Sequence, residues 1–245
     1  MLVAAAVCPA PPLLVPEVAA GAAAELGDAR TACSDALAVL AASRPDLLVV
    51  VGAADRDHRG PYPQGARGSF RGFGVEADVR LGEGQGVGQG EGEGPEGARP
   101  LPPALAVAAW LLRQARWAAA PVEGLGVGEP LDTARCLEAG REIAARASRV
   151  ALLVMGDGSA CRTLKAPGYL DERAAAFDAA AARALASADA SALAALDAEL
   201  AAELLAAGRA PWQVLAGAAE GAGLDGRLLY EDAPYGVGYF VAAWS

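Results

Sequence analysis

Short apolar runs alternate along the chain with longer segments in which apolar residues recur at helical spacing. Runs without polar interruption predict strands buried on both faces, as in a parallel sheet. The periodic segments between them predict helices that cover the sheet. The predicted strands are residues 3–7, 47–51, 122–127 and 150–155, and the predicted helices are residues 17–42, 105–116, 132–147, 171–185, 191–205 and 211–219.

Two further apolar runs, 228–230 and 238–241, lie close enough in sequence to form a closing hairpin. The order of elements predicts an α/β fold, a mixed, mostly parallel sheet flanked by helices on both faces. A chain of 245 residues is long enough to bury a large core, so one domain over residues 1–245 is predicted.

One segment interrupts the pattern, at about residues 82–99, where Gly, Glu and Gln dominate. Such a composition cannot bury enough apolar surface to order itself, so it predicts a disordered surface insertion. An acidic binding tail is the alternative. We expect deletion of residues 82–97 to leave the melting temperature nearly unchanged, because the segment contributes no core burial. A large loss of stability in thermal melts would contradict this.

The apolar run at 150–155 ends abruptly in Gly156, Asp157, Gly158 and Ser159. Parallel sheets bind ligands in the crevice outside the carboxyl ends of their strands. The sequence therefore predicts that this loop forms the floor of a pocket.

Formal charge is −10, which argues against nucleic acid and anionic membrane surfaces as partners. Residues 1–7 lack the basic start of a signal peptide and predict a first strand. The four cysteines are scattered without a Cys-x-x-Cys pair, which indicates reduced thiols in a cytoplasmic protein.

Four blocks in this order resemble the class III extradiol ring-cleavage dioxygenases of the LigB superfamily, in particular an actinobacterial-type branch described as subunit-B-like. The blocks are residues 8–12, 49–52, 156–160 with 176–178, and 211–219. The resemblance implies a LigB-like fold, Fe(II), catechol substrates and an oligomer. It also implies a histidine ligand where this chain has Ala10, and an acid/base histidine where it has Ala160. A second histidine ligand would fall near Ala53 or Ala54, and a glutamate ligand near Ala206 or Ala207.

The chain contains one histidine, His58, whereas such an iron site needs two histidines, a carboxylate and a base. We therefore expect no metal and no cofactor, and a non-catalytic or re-purposed member that binds a small molecule or a partner. The alternative is an active oxidoreductase that binds Fe(II) or another divalent metal. Its site would be formed around His58 by Asp55, Asp57 and Cys8, or completed by a partner subunit.

The candidate site residues follow the predicted strands, and several have two interpretations. Asp157 and Ser159 either stabilise a tight turn or contact a ligand, with His58 as a further catalytic candidate. Cys8 and Cys161 are either buried thiols or a redox pair. The predicted pocket comprises Cys8, Ala10, Ala54, His58, Asp157, Ser159, Ala160 and Cys161.

Polar residues after the loop and aromatic residues near the end add two expectations. The cations Arg162, Lys165 and Arg173, with Tyr169, either hold an anionic ligand or lie on the surface. The apolar segment 240–244 is a candidate contact surface for a homo-oligomer. No Gly-x-Ser-x-Gly elbow or glycine-rich phosphate loop is present, which argues against a serine hydrolase and a dinucleotide enzyme.

Overall fold

A computed structural model describes residues 1–82 and 99–245. The main sheet has seven strands, in the order β3-β6-β2-β7-β1-β9-β8, and β4 and β5 form a separate two-stranded sheet. The strands are β1 Leu2–Cys8, β2 Leu47–Ala53, β3 Gly60–Tyr62, β4 Arg67–Ser69, β5 Asp78–Arg80, β6 Val122–Val127, β7 Val150–Met155, β8 Gly226–Asp232 and β9 Tyr239–Trp244. The predicted disordered insertion lies outside the described residues, apart from its ends at Gly82 and Arg99.

The four central strands, β6, β2, β7 and β1, run parallel, and β3, β9 and β8 add antiparallel pairings at the two sides. Every residue of β7 is buried, because this strand has neighbours on both sides and helices on both faces. The predicted mixed, mostly parallel sheet is confirmed. The short strands β3 and β4 were not predicted, since three residues carry too little periodicity to be recognised.

Helices cover both faces of the sheet, as predicted. Alternate side chains of β1 point to opposite faces, so Ala4, Ala6 and Cys8 pack in one core and Ala5 and Val7 in the other. The first core is covered by α1 Pro16–Ala19, α2 Gly27–Ala42 and α3 Pro103–Gln114. The second is covered by α4 Thr133–Ala144, α5 Ala174–Ala186, α6 Ala190–Ala194, α7 Ala198–Glu203 and α8 Arg209–Ala218. None of the helices within residues 1–82 and 99–245 is long and apolar enough to cross a membrane.

Glycine allows α4 and α8 to pack with almost touching backbones. A Cβ atom on Gly140 would lie 2.1 Å from the Val214 carbonyl oxygen, and one on Gly217 would lie 2.1 Å from the Leu137 carbonyl oxygen. This close approach holds the carboxyl-terminal half of α8 against α4.

The predicted helix over 191–205 is wrong in its start and in its continuity. Asp189 caps α6 by accepting a hydrogen bond from the Ala192 N–H, and Asp197 caps α7. Ser191 therefore lies inside α6 rather than at its start. The predicted cap at Asp132 is confirmed, because its side chain accepts from the Arg135 N–H at 2.9 Å. Asp171 accepts from the Arg173 N–H in a turn before α5, but it does not cap that helix.

The segment 240–244 does not form an exposed contact surface in this chain. It forms most of β9, which lies between β1 and β8, and all of its residues are buried. The indole of Trp244 donates to the Leu185 carbonyl at 2.8 Å. An oligomer would therefore have to use another face.

Candidate functional site

The carboxyl ends of β1, β2, β6 and β7 meet at one edge of the sheet, which we call the carboxyl edge. The loops after β1 and β7 are joined there by two hydrogen bonds. The Gly156 N–H donates to the Cys8 carbonyl at 3.0 Å, and the Ala10 N–H donates to Oδ1 of Asp157 at 2.8 Å. The Gly208 N–H donates to the Asp157 carbonyl at 2.7 Å, which brings the start of α8 to the same place.

Asp157 is the side chain whose ionisation is most altered in this loop. Burial raises its pKa to about 7, although the hydrogen bond from the Ala10 N–H opposes the rise. β9 begins at Tyr239 and runs antiparallel to β1, so Tyr239 lies beyond the last residues of β1. Burial raises the pKa of Tyr239, and the negative charge of Asp157 raises it further. Asp157 can thus gain or lose a proton near neutral pH beside a tyrosine that stays protonated.

Ser159 faces the protein interior. Its hydroxyl donates to Oδ2 of Asp178 at 2.8 Å, and its N–H donates to Oδ1 at 2.7 Å. Arg162 donates to the same carboxylate at 3.0 Å, and both Ser159 and Asp178 are fully buried. In the structure Ser159 therefore anchors the loop to the Asp178 side chain, whereas the turn interpretation expected bonds to the loop's own backbone.

The role of Asp178, the last residue of the block 176–178, is not predicted by the sequence analysis. A carboxylate inside an alanine-rich helix was the available signal. The Asp178 carboxylate is enclosed by Gly158 in the loop and by Gly238 just before β9. Cβ atoms on Gly158 and Gly238 would lie only 2.7 Å and 2.5 Å from its oxygens. Such a contact between distant segments cannot be read from periodicity.

His58 pairs with one of the two neighbouring aspartates. Its Nδ1 lies 2.6 Å from Oδ1 of Asp55, and this hydrogen bond is the main reason that the pKa of Asp55 is lowered. Asp57 contributes only its backbone N–H, which donates to Asp55 at 3.1 Å. The His58 carbonyl accepts from the Tyr62 hydroxyl at 2.8 Å.

The donor set does not fit Fe(II). Within residues 1–82 and 99–245, no three His, Cys, Asp or Glu side chains come together as metal ligands. The alternative site at Asp55, Asp57 and His58 is therefore not assembled in this chain. Ala10 and Ala160 offer no side-chain donor, and Ala54 lies buried against Gly126.

The four cysteines are buried and free, and Cys8 and Cys161 do not face each other. Cys8 lies in the core under α2, where its thiol and burial raise the pKa of Cys33. Cys161 lies in the opposite core, with its sulfur 3.5 Å from the Leu204 carbonyl oxygen. A redox pair of Cys8 and Cys161 is excluded by this geometry, because the sheet separates them.

The cations after the loop do not converge on one anion site. Arg162 pairs with Asp178, and Arg173 pairs with Asp171 and Glu203 at 2.7 Å and 2.6 Å. Lys165 and Tyr169 are exposed. These residues stabilise loops or lie on the surface.

A second carboxyl group with a raised pKa, that of Glu129, lies after β6 and was missed by sequence analysis. Burial raises the pKa of Glu129 to about 7, and the charge of Arg209 opposes the rise. Arg209 is buried and donates to the carbonyls of Glu129 and Leu131 and to Oε1 of Gln213. A Glu after a strand and an Arg before a helix were visible signals, but nothing in the sequence joined them.

Comparison with known proteins adds a fold but no family. No protein-family model and no curated protein sequence matches this chain. Among solved structures, the crystal structure of the uncharacterized protein JW3007 from Escherichia coli K12 is similar, with a TM-score of 0.50 and 16% identity. The match covers 99% of each chain, so the two proteins share an overall α/β fold.

Proposed function

We propose that this chain is a LigB-like protein that has lost the iron site and binds a small polar molecule at the carboxyl edge. Asp157 and Tyr239 would provide the polar contacts. The observation that carries the proposal is the Asp157 carboxyl, held by the Ala10 N–H at 2.8 Å beside Tyr239. Ala10 is the position where the resemblance implies an iron ligand.

The chemistry of this pair suits recognition of a ligand hydroxyl group. A carboxyl with a pKa of about 7 accepts a hydrogen bond when ionised and donates one when protonated. Tyr239 keeps its phenolic proton, so its hydroxyl can donate a hydrogen bond to a ligand oxygen. Tyr239 is buried and Asp157 is partly buried, and withdrawal from water strengthens a hydrogen bond.

The second candidate is an oxidoreductase with a metal at His58. Only the His58–Asp55 pair favours it, and a further ligand would have to come from a partner subunit. We further propose a cytoplasmic location, given the reduced thiols, and assembly into an oligomer, as the resemblance implies.

The test uses 4-nitrocatechol, whose visible absorption changes on binding and on ionisation, in buffer with a chelator. We expect saturable binding to the wild type and about tenfold weaker binding to Asp157→Asn and Tyr239→Phe. Asp55→Asn, which alters the other crevice loop, serves as the matched control and should bind normally. Binding that requires added Fe(II), or that is weakened by Asp55→Asn alone, would contradict the proposal and favour the second candidate.

A further inference from the structure

One side of the main sheet ends in a strand without a neighbour. β8 is the last strand in the order, and no other strand within residues 1–82 and 99–245 pairs with its outer side. At the opposite side the last strand is β3, which has three residues and contains Pro61. Shortness and proline protect an edge strand against further pairing, whereas β8 has seven residues and no proline. β8 is therefore the edge to which another strand can be added.

The hydrogen bonds to β9 determine which backbone groups of β8 point outwards. Asp225 and Ser245 exchange both of their backbone hydrogen bonds, at 3.1 Å each. Along an antiparallel ladder, such pairs alternate with pairs whose N–H and C=O groups point away from the partner strand. Counted along β9 from Ser245, the pairs that contain Leu228 and Glu231 are of the second kind. The backbone groups of Leu228 and Glu231 are therefore available to a further strand.

A bulge in β8 decides how two copies of this strand can pair. The register to β9 shifts between Leu228 and Tyr230, and Leu229 and Tyr230 both pack against the first core, which α2 covers. Leu228 packs against the second core, and Glu231 lies opposite Phe240 of that same core. Leu228 can thus oppose Glu231 of a second copy, because their outward groups and their faces both match. The two-fold axis then passes between Leu229 and Tyr230.

This register brings opposite charges together on the face that carries α2. Arg227 opposes Asp232 of the second copy, and the symmetry forms this pair twice. Both side chains are exposed, and neither takes part in an ion pair within the described part of the chain. Leu229 and Tyr230 are only half-buried in one chain, so pairing would withdraw more apolar surface from water. A cavity of about 380 Å³ beside Arg227, Leu229 and Val39 leaves room for the second copy on this face.

We infer that two copies of this chain pair antiparallel through β8 and join their seven-stranded sheets into one continuous sheet. The strand is complementary to itself, with a positive charge near its start, apolar residues in the middle and negative charges at its end. This self-complementarity favours a second copy over an unrelated strand. The inference rests on the oligomer proposed above and assigns its contact surface, whereas ligand binding at the carboxyl edge does not enter it.

The test is the mass of the full chain in solution, measured by sedimentation velocity at micromolar concentration. We expect twice the mass of one chain for the wild type. Arg227→Asp and Asp232→Arg each place like charges opposite one another twice, so each should weaken the dimer about tenfold. Combining the two substitutions restores opposite charges and should restore the dimer. Arg135→Asp reverses an exposed arginine that pairs with Glu138 on α4, and this control should leave the dimer intact.

Glu231→Pro tests the backbone pairing separately. Glu231 is exposed and its N–H points away from β9, so proline should abolish the dimer without changing the circular dichroism spectrum. Arg227→Asp lies at the end of β8 away from the carboxyl edge and should bind 4-nitrocatechol like the wild type, which separates failure of the dimer from failure of ligand binding. A monomeric wild type, a dimer that survives Glu231→Pro or either single charge reversal, or a monomeric double reversal would each overturn the inference.

Discussion

Replacing Asp178 by alanine should lower the free energy of unfolding by about 3 kcal/mol. The carboxylate is fully buried and accepts hydrogen bonds from the Ser159 N–H, the Ser159 hydroxyl and Arg162, so its removal leaves these donors without an acceptor. Arg162 is partly exposed and recovers some solvation, which keeps the loss near the lower end of the range for broken buried pairs. Urea unfolding measures the change.

Asp189→Ala provides the matched control for this experiment. Asp189 is also an aspartate that accepts from a backbone N–H, but it is an exposed helix cap, so a loss of about 1 kcal/mol is expected. Ser159→Ala combined with Asp178→Ala should cost much less than the sum of the two single losses, since both remove the same hydrogen bond. Additive losses would show that Ser159 acts independently of Asp178.

Asp157→Asn should stabilise the protein by about 2–3 kcal/mol at pH 8 and leave stability nearly unchanged at pH 4. Asparagine keeps an oxygen to accept from the Ala10 N–H and carries no charge to bury. The folded-state pKa of Asp157 is about 7, above an ordinary value of 3.8. The difference between these two pKa values corresponds to about 4 kcal/mol of unfolding free energy, and the partial contact of Asp157 with solvent reduces this figure.

The pH window follows from the direction of this change. Below about pH 4 Asp157 is protonated in both states and contributes nothing. Between about pH 4 and pH 7 the unfolded state releases the proton while the folded state keeps it, so wild-type stability falls as pH rises. Above about pH 7 Asp157 is ionised in both states, so the loss of wild-type stability stays constant.

Asp57→Asn, which removes one exposed negative charge, is the control. An advantage of Asp157→Asn that is the same at pH 4 and pH 8 would contradict the assignment.

The fold could be predicted largely because the apolar runs are long. The uninterrupted run 150–155 forms β7, the buried strand at the centre of the sheet. Asp132 correctly indicated the start of α4, because its side chain caps that helix. Ser191 was wrongly predicted as a helix cap, because the nearby Asp189 and Asp197 are equally good cap residues. Which of them caps a helix depends on where α6 and α7 pack. The apolar hairpin suggested a contact surface, although its side chains are used inside the sheet.

The site was predicted only in part, because its chemistry depends on contacts between distant segments. Asp157 was identified from its position after a strand, but the Ala10 N–H that holds it comes from a loop 147 residues away. Tyr239 and Asp178 lie in other elements and carry no local signal. Cys8 is the last residue of β1 and Cys161 lies in the loop after β7, and they pack in opposite cores, which the sequence does not show.

We propose that the protein has no iron chemistry, and metal analysis combined with a catechol assay tests this proposal. The protein is purified without chelator or tag, incubated with Fe(II) under anaerobic conditions, separated from free metal and then exposed to catechol and oxygen. We expect iron far below one atom per chain and no ring-cleavage product, also for a variant that combines Ala10→His with Ala160→His. Near-unit iron that is lost on His58→Ala, together with ring-cleavage product, would contradict it.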